Sequence, residues 1–298
     1  MNYNSFNAQV FNSTIDAASA LAQPFISNIE ANTADEYTYS IYLSQEMQQN
    51  FGNNDEVWQN GGPIVGFNLP HQNFVAATDC SGFVARVLNA TRSAATGTSV
   101  YAGLVTDADG KLICFKTDAH PQPFPSAQDY AGWLVAGEKR SFRSVTFAIK
   151  DTLFSKAGSF SEVEPGDILA YALPAGSKDT GHVMVVESIQ QLEKGKLNQE
   201  FWGSDLTEFT GNDVLFYAVR VYDSSNVAHH NDQRGNGQPK PTGVGLGTVL
   251  IIAGASGAPI GFMFAAHDLL LVVESVATTL ASQSVNAIGS LAVGRPVC

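Results

Sequence analysis

The sequence predicts an α+β fold: an antiparallel sheet, one cysteine-bearing helix packed on it, and a helical N-terminal extension. Three observations predict it. Residues 17–29 and 37–47 carry apolar side chains at mixed three- and four-residue spacings, the period of helices. Phe83, Val84, Val87 and Leu88 form one apolar stripe, which marks a short helix at about 80–90. From residue 162 onward, short apolar runs alternate with Gly, Pro, Asn and Asp, the texture of strands and turns.

Taken in order, Asp35 is placed to cap the second N-terminal helix. Residues 52–73 are rich in Gly, Asn and Pro and read as loop. Thr78 or Asp79 can cap the helix at 80–90, because a short side-chain oxygen can accept from the unpaired N–H groups of a first turn. His120-Pro-Gln-Pro-Phe-Pro125 must be extended or turned, since each proline fixes its own φ and restricts its predecessor. Ser126 then starts a helix, with Asp129 at capping-box spacing. Residues 145–154 fit a strand or a helix. Glu164-Pro-Gly-Asp167 is a turn, and strands follow at 168–173, 181–188 and 215–222. Residues 229–243 read as a polar loop, and 248–253 with 260–264 as a hairpin that extends the same sheet. The division is a 1–60 extension and a 61–298 main domain with insertions at 91–160 and 189–213.

Composition excludes several classes. Of 298 residues, 44% are hydrophobic and only 15% charged, enough apolar material for a sizeable core. A net charge of -12 repels phosphate backbones and anionic headgroups, so nucleic acid is not an expected partner. Residues 241–266 carry no charged side chain and are long enough to cross a bilayer. Gly254, Gly257, Pro259 and Gly261 interrupt them, however, and no Lys/Arg cluster or aromatic belt flanks them, which favours a buried hairpin over membrane insertion. Gly243-Val-Gly-Leu-Gly247 is a fragment of a dinucleotide fingerprint without its strand and helix, and carries little weight. The first residues lack the basic and apolar segments of a secretory signal, so the expectation is a chain made in the cytoplasm, or exported without a cleaved signal.

The three cysteines, Cys80, Cys114 and Cys298, form no C-x-x-C pair and no disulfide framework. Cys80 has the special context. A thiol in the first turn of a helix sits at the positive end of the macrodipole, which predicts a lowered pKa. Gly82 clears bulk beside it, and unpaired N–H groups there can meet a developing oxyanion. The plain alternative is a small core cysteine. Cys114, in an apolar run, and Cys298, at the last residue, read as non-catalytic. His182 opens an apolar strand where nothing apolar explains an imidazole; a base there needs a third group to orient it.

Asp79-Cys80-Ser81-Gly82-Phe83-Val84, then Pro165-Gly-Asp167-Ile168, then Gly181-His182-Val183, resembles the NlpC/p60 family of papain-like cysteine peptidases and amidases. The resemblance covers about 74–90 and 162–225 and implies a papain-like fold with Cys80 as nucleophile and His182 as base. It implies an orienting residue on the strand after the histidine strand, where Asp223 stands in place of the family's usual His and would accept from Nδ1–H. A turn Asp is the plain alternative; Asp205, His229 and His230 are weaker candidates. Asp79 and Ser81 match family positions that bind the polar end of the substrate, although Asp79 also reads as an N-cap. The 102-residue spacing from Cys80 to His182 exceeds that of compact members and points to insertions that shape the cleft. His71 reads as a loop residue, and His120 and His267 have no partner; no metal site and no cofactor are expected.

The implied substrate is a peptidoglycan stem peptide or crosslink, which conflicts with the missing signal segment. Export by a specialised secretion machine, as for antibacterial amidase effectors with an immunity or secretion partner, resolves the conflict. So does action inside a cell on a protein or small amide. Acyl transfer, deamidation and a non-catalytic binding module on the same fold stay open.

Overall fold

The computed structural model describes residues 9–30, 38–42, 64–68, 73–106, 109, 111, 115–116, 121–122, 124–136, 142–144, 160–193, 197, 206, 209, 214–234, 242–265, 268, 270–273 and 285–298. Among them are four α-helices. Helix α1 is Thr14–Glu30, α2 is Cys80–Ala90, α3 is Val100–Val105 and α4 is Ala127–Ala136. The first strands are β1 (Thr38–Tyr42), β2 (Ile64–Asn68) and β3 (Asn73–Thr78), which form a three-stranded sheet in the order β1-β3-β2. Strands β4 (Phe115–Lys116) and β5 (Pro121–Gln122) form a short pair.

The other nine strands form one sheet. They are β6 (Phe142–Ser144), β7 (Ile168–Ala172), β8 (Gly181–Leu192), β9 (Leu215–Ser225), β10 (Gly243–Ala253), β11 (Pro259–Met263), β12 (Leu270–Val273), β13 (Val285–Ile288) and β14 (Ser290–Pro296). Their order is β13-β12-β11-β10-β9-β8-β7-β14-β6. Every pairing is antiparallel except β12 with β13, so the sheet is mixed where an antiparallel one was expected.

Alternation along the strands gives the sheet two apolar faces. On one face Ile168, Ala170, Val183, Val185, Tyr222, Val244 and Leu246 pack under helices α1, α2 and α4. On the other, Leu169, Tyr171, Met184, Val186, Val219, Val221, Val249, Ile251, Leu291 and Val293 pack on side chains from β11 to β13 and on Phe160. That face closes on itself because the sheet curls, bringing β11 against β14 although they are not neighbours in it.

Several expectations change. Residues 37–47 read as helix, yet Thr38–Tyr42 is a strand. Tyr37 and Ile41 have helical spacing, but the same five residues also alternate, and parallel pairing with β3 decides between the two. Within 52–73, read as loop, Ile64–Asn68 is a strand whose antiparallel pairing with β3 overrides its glycine. The N-terminal segment is not an appendage: Ala17, Ala18, Leu21, Ala22 and Phe25 of α1 line the main core. Near the C-terminus, β14 is bound to β7 and β6. Cys298 lies 3.4 Å from Thr14 Oγ1. Residues 145–154, Cys114, His71, His120, His267, Asp205 and most of the 189–213 insertion lie outside the described residues. No described helix is long and apolar enough to cross a membrane; residues 243–253 and 259–263 are the paired strands β10 and β11.

Candidate active site

Strand β3 runs directly into α2, so Cys80 is the first helical residue. Asp79 is its N-cap. The carboxylate accepts from Gly82 N–H at 2.7 Å and from the Ser81 hydroxyl at 3.0 Å. The helix is buried nearly all round, not along one stripe. The chain must pass tightly here: a Cβ at Gly82 would meet Thr78 Oγ1 at 2.1 Å. Asp79 and Ser81, matched to substrate-binding places, are both buried, with their side chains bonded to each other.

Strand β8 brings His182 to the same end of the sheet. The backbone N–H of Val183, the next residue, acts to lower the Cys80 pKa. Gly181, at φ 121°, lets β8 begin against β7; a Cβ there would fall 2.0 Å from the Tyr171 carbonyl oxygen. Tyr171 lies opposite His182 in register, with ring centroids 6.3 Å apart. The imidazole also packs edge-on against Phe264 at 5.3 Å.

Asp223 comes from β9, which continues to Ser225, three residues past the expected end. Its Oδ2 accepts from His182 Nε2 at 2.6 Å, with both side chains buried. The expected bond used Nδ1; the structure uses Nε2, which leaves Nδ1 as the other ring nitrogen. The same Oδ2 accepts from His229 Nε2 at 3.0 Å, and Oδ1 accepts from Arg234 Nη1 at 3.2 Å. Burial disfavours the Asp223 charge, but His229, Arg234 and the bonds from both imidazoles outweigh it and hold the carboxyl well below the usual range. His229, expected in a loop that fixes no geometry, is therefore part of the cluster; His230 instead pairs its backbone with Thr248.

The Cys80 thiol does not follow the helix-terminus expectation. Burial raises its pKa well above the ordinary value, and the Asp79, Asp179 and Asp223 carboxylates add to this, opposed by the Val183 N–H. The macrodipole effect, a kcal/mol or so at a surface, is outweighed once the sulfur leaves water beside anions. Asp79 itself is pushed up to about 6 by burial. The phenols of Tyr42 and Tyr171 are raised first by burial and next by Cys80.

Sequence reasoning missed Arg234 and undervalued His229. Their signal lay in Gly245 and Gly247. A Cβ at Gly245 would meet Arg234 Cγ at 1.9 Å, and one at Gly247 would meet His229 Cβ at 2.5 Å. Strand glycines mark close approach, and these two let the 229–234 segment lie on β10.

His182, Asp223 and His229 each offer a donor atom within 4.8 Å of the others, a spacing that suits a divalent cation. Arg234 argues against that use. Its guanidinium sits on Asp223 Oδ1 and 2.5 Å from His229 Nδ1, and Oδ2 already accepts from both rings. The cluster is a closed hydrogen-bond network carrying its own cation. Comparison with protein families, with curated proteins and with solved structures finds no match to the chain.

Proposed function

We propose that the chain is a cysteine hydrolase that cleaves amide bonds, with Cys80 as nucleophile, His182 as base and Asp223 as the group that orients the base. One observation carries the reading: Asp223 holds His182 Nε2 at 2.6 Å, and His182 precedes Val183, whose N–H acts to lower the Cys80 pKa. Orienter, base and nucleophile thus follow one another across β9, β8 and the start of α2, the order that a Cys–His mechanism requires.

With Nε2–H committed to Asp223, Nδ1 is the nitrogen that takes the thiol proton. The raised thiol pKa favours a resting thiol over a thiolate, so the proton moves as the sulfur attacks. The sulfur adds to the carbonyl carbon. The tetrahedral oxyanion meets the Cys80 N–H, which the Asp79 cap leaves out, since Asp79 engages the N–H groups of Gly82 and Phe83. The imidazolium protonates the leaving amine, and water, giving a proton to His182, hydrolyses the thioester.

The resemblance to NlpC/p60 enzymes points to peptidoglycan stem peptides or crosslinks as substrate. The test is incubation with purified peptidoglycan and mass identification of soluble fragments, with Cys80→Ala as control. Fragments carrying new amino and carboxyl ends, absent with Cys80→Ala, are expected; an unaltered polymer with active-site labelling intact would remove this substrate. A second reading, acyl transfer to an amine, is favoured by burial, since Cys80 is 5% and His182 6% exposed and a site this closed keeps water from the thioester. Adding a small amine acceptor and looking for its acylated product tests it.

A further inference from the structure

We propose that His229 and Arg234 are positioning residues for Asp223, locking its carboxylate onto His182. The inference rests on the reading of Cys80, His182 and Asp223 as the reacting set, and it extends that set by Arg234 and by His229, whose ring also lies edge-on to His182 at 6.4 Å.

Among the described residues, three side chains bond the Asp223 carboxylate: His182 and His229 on Oδ2, and Arg234 on Oδ1. Arg234 is itself immobilised. Its Nε donates to Asp232 Oδ1 at 2.9 Å and its Nη2 to Asp232 Oδ2 at 2.7 Å, and its side chain is fully buried. Asp232 also accepts from the backbone N–H groups of His229 and Arg234, both at 2.8 Å. Asn231, with φ 49°, supplies the left-handed turn that folds these residues together, a conformation asparagine tolerates better than most.

Hydrogen-bond roles fix the His229 tautomer. Its Nδ1 faces both the Arg234 guanidinium at 2.5 Å and the Val227 carbonyl at 3.0 Å. The guanidinium can only donate and the carbonyl can only accept; the Asp223 carboxylate needs its proton from Nε2, and a neutral ring with Nε2–H leaves Nδ1 to accept from Arg234. Burial, reinforced by Arg234, lowers the His229 pKa and keeps the ring neutral, while Asp223 pulls the other way. His229 is then a fixed neutral donor, not a second base. It turns one lone pair of Oδ2 away from free rotation, and Arg234 holds the other oxygen.

Such a cluster is a poor device for stability alone. Buried ion pairs can often be replaced by apolar side chains with no loss of stability. Here the fold also leaves two positions of a central strand, Gly245 and Gly247, without side chains to seat the cluster. Orientation of Asp223 accounts for both features.

The test follows the pH dependence of Cys80 alkylation by iodoacetamide in the full-length chain, which needs no knowledge of the substrate. The variants are Asp223→Asn, Arg234→Met, Arg234→Lys, His229→Leu and His229→Gln, each checked for fold by circular dichroism. Arg234→Met and His229→Leu are expected to move the midpoint in the same direction as Asp223→Asn, by at least 0.3 pH units. Arg234→Lys and His229→Gln, which keep a cation and a donor, should recover at least half of the shift. Combining Arg234→Met with Asp223→Asn should add little to Asp223→Asn alone. If Arg234→Met and His229→Leu disrupt folding, Gly247→Ala, which presses on His229 without changing charge, gives the same reading. A shift in Asp223→Asn with none in folded His229 and Arg234 variants overturns the positioning role while sparing the Cys–His–Asp reading. No shift in folded Asp223→Asn overturns that reading and the inference with it.

Discussion

Ser224 Oγ donates a 2.7 Å hydrogen bond to the carbonyl of Thr78. The bond joins the residue next to Asp223 to the last residue of β3, two positions before Cys80. Both ends are buried, so losing the hydroxyl would leave a buried carbonyl short of a partner. The contact links the strand that holds the orienting carboxylate to the entry of the helix that holds the thiol. A second pair of contacts reinforces the corner: Val244 N–H donates to Ser40 Oγ at 2.9 Å and Tyr42 N–H to Thr242 Oγ1 at 3.2 Å, binding β1 to the start of β10.

Cys80→Ala should abolish amide cleavage while circular dichroism and the urea midpoint stay near the parent, because the change removes one sulfur from a helix that keeps its Asp79 cap. Cys298→Ser should retain most activity. Its sulfur touches Thr14 at the far end of β14, and only a small change in stability is expected. Activity in Cys80→Ala equal to the parent would end the nucleophile assignment.

Asp223→Ala should lower turnover by roughly 10- to 1000-fold, less than the ~10⁴-fold loss for an orienting Asp in a serine-protease triad. It should also destabilise the protein by about 3–5 kcal/mol, since Arg234 would be left buried without one of its carboxylates. The sign of the pH dependence follows from the depressed Asp223 pKa. Its stabilisation is complete above the unfolded value near ~3.9 and is lost as pH falls through the lower folded value. The parent should therefore lose stability on acidification below about pH 4 more steeply than Asp223→Asn. Urea midpoints from pH 5 to 2 measure this; parallel slopes would contradict it. A chelator should leave turnover unchanged in both proteins, because Arg234 neutralises the carboxylate that a cation would need.

How much of this was legible in the sequence depends on whether a feature is local. The Asp79–Gly82 cap and the Ser126–Asp129 box depend on neighbours three residues apart, and both are formed, with Ser126 N–H to Asp129 at 2.7 Å. The strands expected at 168–173, 181–188, 215–222 and 248–253 announced themselves through apolar runs between turn residues, and the structure extends three of them, to Gly181–Leu192, Leu215–Ser225 and Gly243–Ala253. What was not legible is made by distant pairing. The parallel β1–β3 ladder, the docking of β14 and the parallel β12–β13 pair leave no periodic mark in five-residue stretches. The candidate site divides the same way. Cys80 and His182 stand in local strings, whereas Arg234 lies in a stretch that reads as polar loop, and its burial comes from contacts with β9 and β10.

Arg295→Met should destabilise the fold by about 1.5–3 kcal/mol, the range for hydrogen bonds to charged groups. Its guanidinium bonds both oxygens of the buried Asp167, at 2.8 and 3.1 Å, and the Glu162 carbonyl at 2.9 Å. Asp167 heads the turn before β7, so the pair fastens β14 to the strand beside the histidine strand. Thermal unfolding checks it; a midpoint unchanged from the parent would show that β14 is held by its backbone ladder alone.

Asp79→Asn should make the protein more stable at pH 7 and its nucleophile more acidic. The carboxyl of Asp79 is pushed up to about 6, chiefly by burial. A carboxyl raised in the folded state contributes most below its unfolded value near ~3.9, and that contribution is lost as pH rises to the folded value. Two units correspond to about 3 kcal/mol at neutral pH. Asparagine keeps an oxygen for the Gly82 N–H and the Ser81 hydroxyl, and caps a helix about as well as aspartate. The penalty is thus removed without removing the cap. The same carboxylate is, after burial, the next contributor to the high Cys80 pKa. Neutralising it should move the alkylation midpoint of Cys80 to lower pH. Stability that falls at pH 7, or a midpoint that stays or rises, would show that Asp79 is held neutral already or that its charge does not reach the sulfur.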